Sequence, residues 1–282
     1  MRILITGAAG MLGSELAALA GPDALATDKT ELDILQADRV RAVLREHHPQ
    51  WIVDCAAFTR VDDCEGNPDA FRLNAEGPEV LARSCREADA KLLHISTDYV
   101  FDGEKGSPYT EDDEPNPLND YGRGKLEGER RAMEAHPEGV TIVRTAWMFG
   151  ANGPCFPKTI LNAARQARPL RVVADQTGSP TFASDLARAI LLLLHLGPPP
   201  GVFHIANTGT ATWHQVALAT LEAAGIEAEV EAIRTEDWPT RARRPRYSVL
   251  DCSKAHRLGL PPLRPWREAL TEFVQSLLHA SP

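Results

Sequence analysis

The chain has 282 residues, 43% of them hydrophobic, enough for a buried core in one large α/β domain or a large one with a small companion. With 39 Asp and Glu against 30 Lys and Arg, the net charge of -9 argues against nucleic acid or an anionic membrane surface as the principal partner and points to a small molecule. The five cysteines (Cys55, Cys64, Cys85, Cys155, Cys252) are scattered and never spaced CxxC, so neither a disulfide framework nor a zinc site is expected, and a reducing cytoplasm fits.

In chain order, the N-terminus runs straight into an apolar strand pattern, RILIT (2–6), with no cleavable signal. Further strands are expected at ALAT (24–27), WIVDCAA (51–57), KLLHIST (91–97) and TIVRTAW (141–147), with helical stretches such as MLGSELAALA and DRVRAVLREHH between them. That βαβ rhythm predicts a Rossmann-type, doubly wound parallel sheet over residues 1–150. Beyond 150 the rhythm loosens. RVVAD (171–175), GVFHIAN (201–207) and AEVEAIR (228–234) are further strands among helices and Pro-rich breaks. Part of 171–210 is expected to return to the first domain, leaving 151–282 mainly as a smaller, interleaved substrate-binding region. The most apolar run, AILLLLHL (189–196), is far short of the ~18 residues of a membrane span.

The first chemical signal is ITGAAGMLGSEL, in which Gly7, Gly10 and Gly13 follow a strand and open a helix. Glycines there let the backbone approach a pyrophosphate, whose charge the helix N-terminus receives. The spacing is GxxGxxG rather than GxGxxG, and it is the βαβ setting that favours a dinucleotide over a plain turn. Asp28, ending the second strand, is placed to hold an adenosine ribose, while Lys29 beside it suits a 2′-phosphate equally well; a solvated loop is the plainer reading of both.

The second signal is HISTDYVFDG (94–103), followed by YGRGK (121–125). Thr97 leaves the sheet at its carboxyl edge, and Tyr121 and Lys125, four residues apart on a helix, share a face. A hydroxyl, a phenol and an ammonium at one crevice suit acid–base chemistry at a carbonyl or alcohol without a metal. The ammonium is expected to tune the phenol: a shift of ~3 units from a pKa of ~10 requires roughly 4 kcal/mol, about what one charge at ~4 Å supplies at an effective dielectric of ~20. Gly122 and Gly124, poor helix formers, are expected to let cofactor and substrate approach the helix closely.

These residues, with LDI (32–34), CAAFTRVDDCE (55–65), NAEGPEVLA (74–82), PLNDYGRGKLEGE (117–129), IVRTAWMFG (142–150), DQTGSPTFASDLA (175–187), GVFHIANTGTATW (201–213) and RRPRYSVLDCSK (243–254), resemble the extended short-chain dehydrogenase/reductases over nearly the whole chain. STDYVFDG and DQTGSPT are the more specific segments. The resemblance implies a reductase acting with NADPH or NADH on the C4 keto group of a dTDP-linked 4-keto-6-deoxy sugar. It implies that Gly10, Met11, Leu12, Asp33, Ile34, Ala56, Ala57, Phe58 and Ile95 line the cofactor, that Thr97, Tyr121 and Lys125 form the catalytic set, and that Asp98 and Trp147 face the sugar. A core tryptophan is the other reading of Trp147. Relatives that dimerise through magnesium have an acidic residue at the position of Ser184, so no metal is expected here, and a monomer or weak homodimer is.

The nearest rival enzyme is an epimerase or dehydratase of a related nucleotide sugar. A dehydratase is expected to put acidic residues beside Thr97, where this chain has only Asp98. The rival of another class, a non-catalytic regulatory subunit, has no need of Thr97, Tyr121 and Lys125 together. The arginine run RTEDWPTRARRPR (234–246) reads either as a solvated loop or as a grip on a diphosphate by Arg241, Arg243, Arg244 and Arg246.

Overall fold

Short runs of apolar residues become strands wherever helices cover both faces of a sheet, and the first half of the chain supplies them in strict alternation. In the computed structural model, which describes residues 1–279, the order is β1 (Ile3–Thr6), α1 (Met11–Ala20), β2 (Ala24–Ala26), α2 (Ala37–His47), β3 (Trp51–Asp54), α3 (Val61–Cys64), α4 (Pro68–Glu87), β4 (Lys91–Thr97), α5 (Asp120–Ala135) and β5 (Val140–Thr145). The second half continues with β6 (Met148–Phe149), α6 (Phe156–Arg165), β7 (Leu170–Val173), β8 (Thr177–Gly178), β9 (Thr181–Phe182), α7 (Ala183–Leu196), β10 (Gly201–His204), β11 (Asn207–Thr208) and β12 (Ala211–Thr212). It ends with α8 (Trp213–Ala224), β13 (Val230–Ile233), α9 (Ser253–Arg257), β14 (Leu263–Pro265) and α10 (Trp266–His279).

The main sheet runs β10-β5-β4-β3-β1-β2, all parallel. Alternate residues of one strand serve opposite cores: Ile3 and Ile5 pack with Val53, Leu93 and Ile190 on the α1/α7 side, whereas Leu4 packs with Ile52, Leu92 and Leu81 on the α2/α4 side. The strand order turns about between β1 and β3, so the crevice for a ligand opens at their carboxyl ends. A separate aromatic core of Phe149, Phe182, Trp266 and Phe273 holds α8 and α10 against the short strands of the second half.

Several strands are shorter than the apolar runs suggest. The run at 51–57 stops at Asp54, whose Oδ1 accepts a hydrogen bond from Ala56 N at 3.2 Å and turns the backbone out of the sheet. The run at 141–147 stops at Thr145, because Trp147 adopts φ 44°, a left-handed conformation costly for a bulky side chain. GVFHIAN divides into β10 and β11, and AEVEAIR pairs through β13 with β7 in a small parallel ribbon outside the main sheet.

The glycines of α5 serve a different purpose from the one expected of them. Asn119 caps the helix by accepting from Gly122 N at 2.8 Å, and a side chain on Gly122 would run into the carbonyl oxygen of Tyr99. One on Gly128 would meet the carbonyl of Asn74, and Gly124 lies over Asn74 and Phe71. The small residues thus press α5 onto α4 and the turn after β4, and so fix where Tyr121 and Lys125 stand, rather than clearing a path for ligands.

Candidate active site

The glycine loop after β1 forms one wall of the crevice. Gly7 has φ 62°, and a Cβ there would lie 2.8 Å from Ala56 N, so only glycine lets the loop lie against the end of β3. α1 begins at Met11 without a side-chain cap, which leaves the first N–H groups of the helix for an anion. A cavity of about 220 Å³ is lined here by Gly7, Gly10, Asp28, Lys29, Asp33, Ile34, Ala56 and Ala57, among others. A second, of about 410 Å³, is lined by Gly10, Met11, Leu12, Gly13, Ile95, Thr97, Asp98, Tyr121, Lys125, Thr145, Trp147 and Trp213, with further residues. Gly10, Cys55 and Ala57 belong to both, so the two form one trough running from the loop after β2 to Tyr121.

That trough suits a dinucleotide: uncapped helical N–H groups at the middle, carboxylates of Asp28 and Asp33 at one end and polar groups at the other. Phe58 lines neither cavity; its N and O hydrogen-bond the Asn74 side chain at 2.8 and 3.0 Å, so it anchors the loop to α4. Lys29 is exposed beside Asp28, leaving both charges at the rim.

At the other end, Thr97 closes β4 with its hydroxyl donating to Asp98 Oδ1 at 3.0 Å and accepting from Tyr99 N at 3.2 Å. Asp98 is buried, and its Oδ2 accepts from Ser248 Oγ at 2.6 Å. Burial pushes its carboxyl up to about 7, against the pull of those two hydroxyls. Tyr121, in the first turn of α5, meets Tyr99 edge-on at 5.9 Å between ring centroids. Its phenol is raised above the ordinary value by burial, opposed by the Thr97 hydroxyl and reinforced by the charge of Asp98.

The Lys125 side chain, expected to tune that phenol, is engaged by a histidine. Its ammonium is buried, and Nζ lies 3.0 Å from His94 Nε2; His94 Nδ1 in turn lies 2.7 Å from Asp54 Oδ2. Asp54 Oδ1 accepts from Thr6 Oγ1 at 2.6 Å. Burial lowers the Lys125 pKa to about 8, with the charges of Asp54 and Glu129 working against it. Burial would raise Asp54, but the hydrogen bond and charge of His94 and the charge of Lys125 outweigh it and hold the carboxyl below its usual range. Asp54 and His94 went unremarked in the sequence, where ionisable residues inside the apolar runs WIVDCAA and KLLHIST were the available signal.

Trp147 stacks on Trp213 with ring centroids 3.6 Å apart and planes within 4°, and a Cβ on Gly178 would overlap the Trp147 indole. Trp213 Nε1 donates to Gln176 Oε1 at 3.2 Å. Trp213 could not be assigned from local pattern, because its place in the cavity depends on packing of the second half onto the first. Thr145 was missed for the same kind of reason: the register of β5 on β4 sets it directly beside Thr97, and its buried hydroxyl has no partner among the described residues.

The arginine run is largely occupied. Arg244 makes a bidentate pair with Asp62 at 2.7 Å for each contact, holding that carboxyl down to about 2, and Arg246 pairs with Glu236 at 3.0 Å. Arg243 is exposed, and its carbonyl accepts from Asn119 Nδ2 at 2.7 Å. The segment therefore straps α3 and the start of α5, and neither Arg244 nor Arg246 is a free grip for a diphosphate.

A parallel sheet with a glycine loop at its switch point and a Thr, Tyr and Lys at its carboxyl edge defines a Rossmann-type enzyme of the short-chain dehydrogenase/reductase kind. Within that class the chain belongs to the dTDP-4-dehydrorhamnose reductase family: the family model described as the RmlD substrate binding domain matches residues 1–279. The dTDP-4-dehydrorhamnose reductase of Streptomyces griseus is 43% identical over 285 residues, covering 98% of this chain and 94% of the relative. A crystal structure of a dTDP-4-dehydrorhamnose reductase from Clostridium acetobutylicum matches with TM-score 0.94 at 40% identity, covering 99% of this chain and 100% of that one. That from Bacillus anthracis, in complex with NADP, gives TM-score 0.94 at 36% identity, with 98% and 99% covered.

Proposed function

We propose that the chain reduces the C4 carbonyl of dTDP-4-dehydro-6-deoxy-L-mannose to give dTDP-L-rhamnose, using NADPH or NADH. The observation that carries this reading is that Thr97, Tyr121 and Lys125 line one cavity continuous with the glycine loop. The names of the relatives support the substrate, and the NADP complex of the Bacillus anthracis enzyme supports the cofactor. The free cysteines and the net charge favour a cytoplasmic enzyme that binds no nucleic acid, and Ser184, buried at the start of α7, favours a monomer or weak homodimer with no bridging metal. No helix among the described residues is long and apolar enough to cross a membrane.

In this reading Gly7, Gly10, Met11, Leu12 and Gly13 receive the cofactor diphosphate, with Asp28, Asp33, Ile34, Ala56, Ala57 and Ile95 lining the rest of its path and Phe58 supporting them from behind. When bound, the reduced nicotinamide supplies the hydride for C4. Tyr121 gives its proton to the C4 oxygen: burial keeps the phenol protonated, and an incipient alkoxide is still the stronger base. The Thr97 hydroxyl turns from Asp98 to hydrogen-bond the same oxygen. Lys125 uses one of its three N–H groups on His94 and keeps the others for the cleft. Asp98 and Trp147 face the sugar. Residues 1–150, with part of 171–210, carry the dinucleotide, and 151–282 mainly the nucleotide sugar; 280–282 lie outside the described residues.

The test is to mix purified protein with dTDP-4-dehydro-6-deoxy-L-mannose and NADPH or NADH and follow the nicotinamide absorbance. Loss of the band that requires the sugar is expected. No loss with the protein alone would return the chain to a regulatory role.

A further inference from the structure

We infer that His94 and Asp54 are positioning residues for Lys125: a neutral imidazole, fixed in one tautomer by a buried carboxylate, anchors the ammonium from behind while keeping the carboxylate out of contact with it. This rests on the proposed reductase reading for its kinetic consequence, but the arrangement is read from geometry. Three separate elements contribute, Asp54 from β3, His94 from β4 and Lys125 from α5, and all three side chains are buried.

The tautomer follows from donor and acceptor counting. Asp54 has both oxygens engaged by donors, Thr6 Oγ1 and Ala56 N on Oδ1, leaving Oδ2 to accept from His94 Nδ1–H. Nε2 must then be the bare acceptor facing Lys125, an ammonium that has only donors. A protonated imidazole would place N–H against N–H at 3.0 Å, so His94 stays neutral; burial and the charge of Lys125 both hold its pKa down.

The charge arithmetic gives the carboxylate its use. Besides Asp54, the ionisable groups around Lys125 are Cys55 just past β3, His94 on β4 and Glu129 on its own helix, which pairs with Arg144 of β5; Tyr121 shares the cavity with it. α4 brings the uncharged Asn74 beside Gly124. With Glu129 neutralised by Arg144 and Cys55 held as a thiol by burial, Asp54 is the uncommitted negative charge that keeps a buried ammonium charged. A direct Lys–Asp pair would do so too, but would turn Nζ away from the cleft.

Two measurements test this. In the Asp54→Asn variant the alkaline limb of kcat/KM for the reduced cofactor, which reports the free enzyme, should move to lower pH by at least one unit. A role in stability alone would lower the melting temperature and leave the limb in place, and an unmoved limb in the folded variant overturns the inference. The second needs no substrate and no variant: ¹⁵N correlation spectra of the wild-type protein, with the His94 ring assigned through its backbone, should show Nδ1 protonated and Nε2 bare from pH 6 to 8. A protonated Nε2 overturns the inference even if the chain is a reductase. Failure of wild-type turnover with intact Nδ1–H tautomer would instead remove the proposed substrate and leave the anchor standing.

Discussion

β4 and α5 carry two buried charge networks side by side, one helical turn and two strand residues apart. Toward the cleft, Lys125 and Asp54 are separated by the His94 ring. Behind it, Glu129 and Arg144 touch directly, Nε to Oε1 at 2.9 Å and Nη2 to Oε2 at 2.6 Å, with Ser96 donating a further hydrogen bond to Glu129. Neither member of this bidentate pair lines the cavity, so the pair meets no ligand, and Arg144 Nη1 has no partner among the described residues. The separated pair leaves the ammonium two N–H groups in a cavity that also contains Tyr121. The same strand and helix thus hold one cation for structure and another for chemistry, and the difference lies in whether a neutral ring stands between the charges.

The largest effect that would sharpen this contrast is on turnover. Tyr121→Phe removes one oxygen and leaves both networks intact, so kcat should fall about 10²–10⁴-fold with cofactor affinity little changed; retention of more than about a tenth of kcat when hydride transfer limits the rate would remove Tyr121 as the proton donor. Glu129→Gln should do the converse. It strands the Arg144 guanidinium in the core at a cost of about 3–5 kcal/mol, read as a lower midpoint in urea, while turnover per folded molecule at about pH 6, well below the Lys125 value of about 8, stays within a few-fold. A variant of wild-type stability would mean the inner pair is not structural.

Asp98 offers a smaller effect with a defined sign. Its carboxyl titrates at about 7 in the folded protein against 3.8 for the free group, so the folded state holds this proton more tightly. The resulting stability is fully present below 3.8 and is lost as pH rises through about 7. Asp98→Asn, which cannot ionise, should therefore gain stability relative to wild type as pH rises from about 4 to about 7, by a few kcal/mol on the order of the shift. Thermal unfolding of the two proteins across that range checks it, and parallel curves would show that Asp98 is not raised.

How much of this was legible in advance varies with range along the chain. The parallel sheet and the helices on its faces follow from local periodicity, because a strand buried on both sides must be mainly apolar, as ILIT is. Thr97, Tyr121 and Lys125 were marked by short-range spacing. The Asp54–His94–Lys125 chain was not, since it depends on the register that sets Asp54 beside His94 and on how tightly Gly124 and Gly128 let α5 approach. The arginine run was open between two readings for a related reason: sequence shows four positive charges but not that Asp62, far away in the chain, already holds Arg244.

The smallest expected effect is cofactor choice. Asp28 repels a 2′-phosphate and Lys29 beside it attracts one, both at the rim of the trough, so NADH and NADPH should both work with discrimination below roughly 2–3 kcal/mol. Steady-state kinetics with each cofactor decide this, and complete inactivity of one would show that a single charge governs.

The central claim, hydride delivery to C4 with a proton from the protein, is tested most directly by following the label. The protein is turned over with dTDP-4-dehydro-6-deoxy-L-mannose and reduced cofactor deuterated at the transferable position, and the product is examined by NMR. One deuterium at C4 of a dTDP-6-deoxyhexose is the result predicted. Deuterium at any other carbon, or a 4-keto sugar recovered unlabelled and unreduced, would contradict the account.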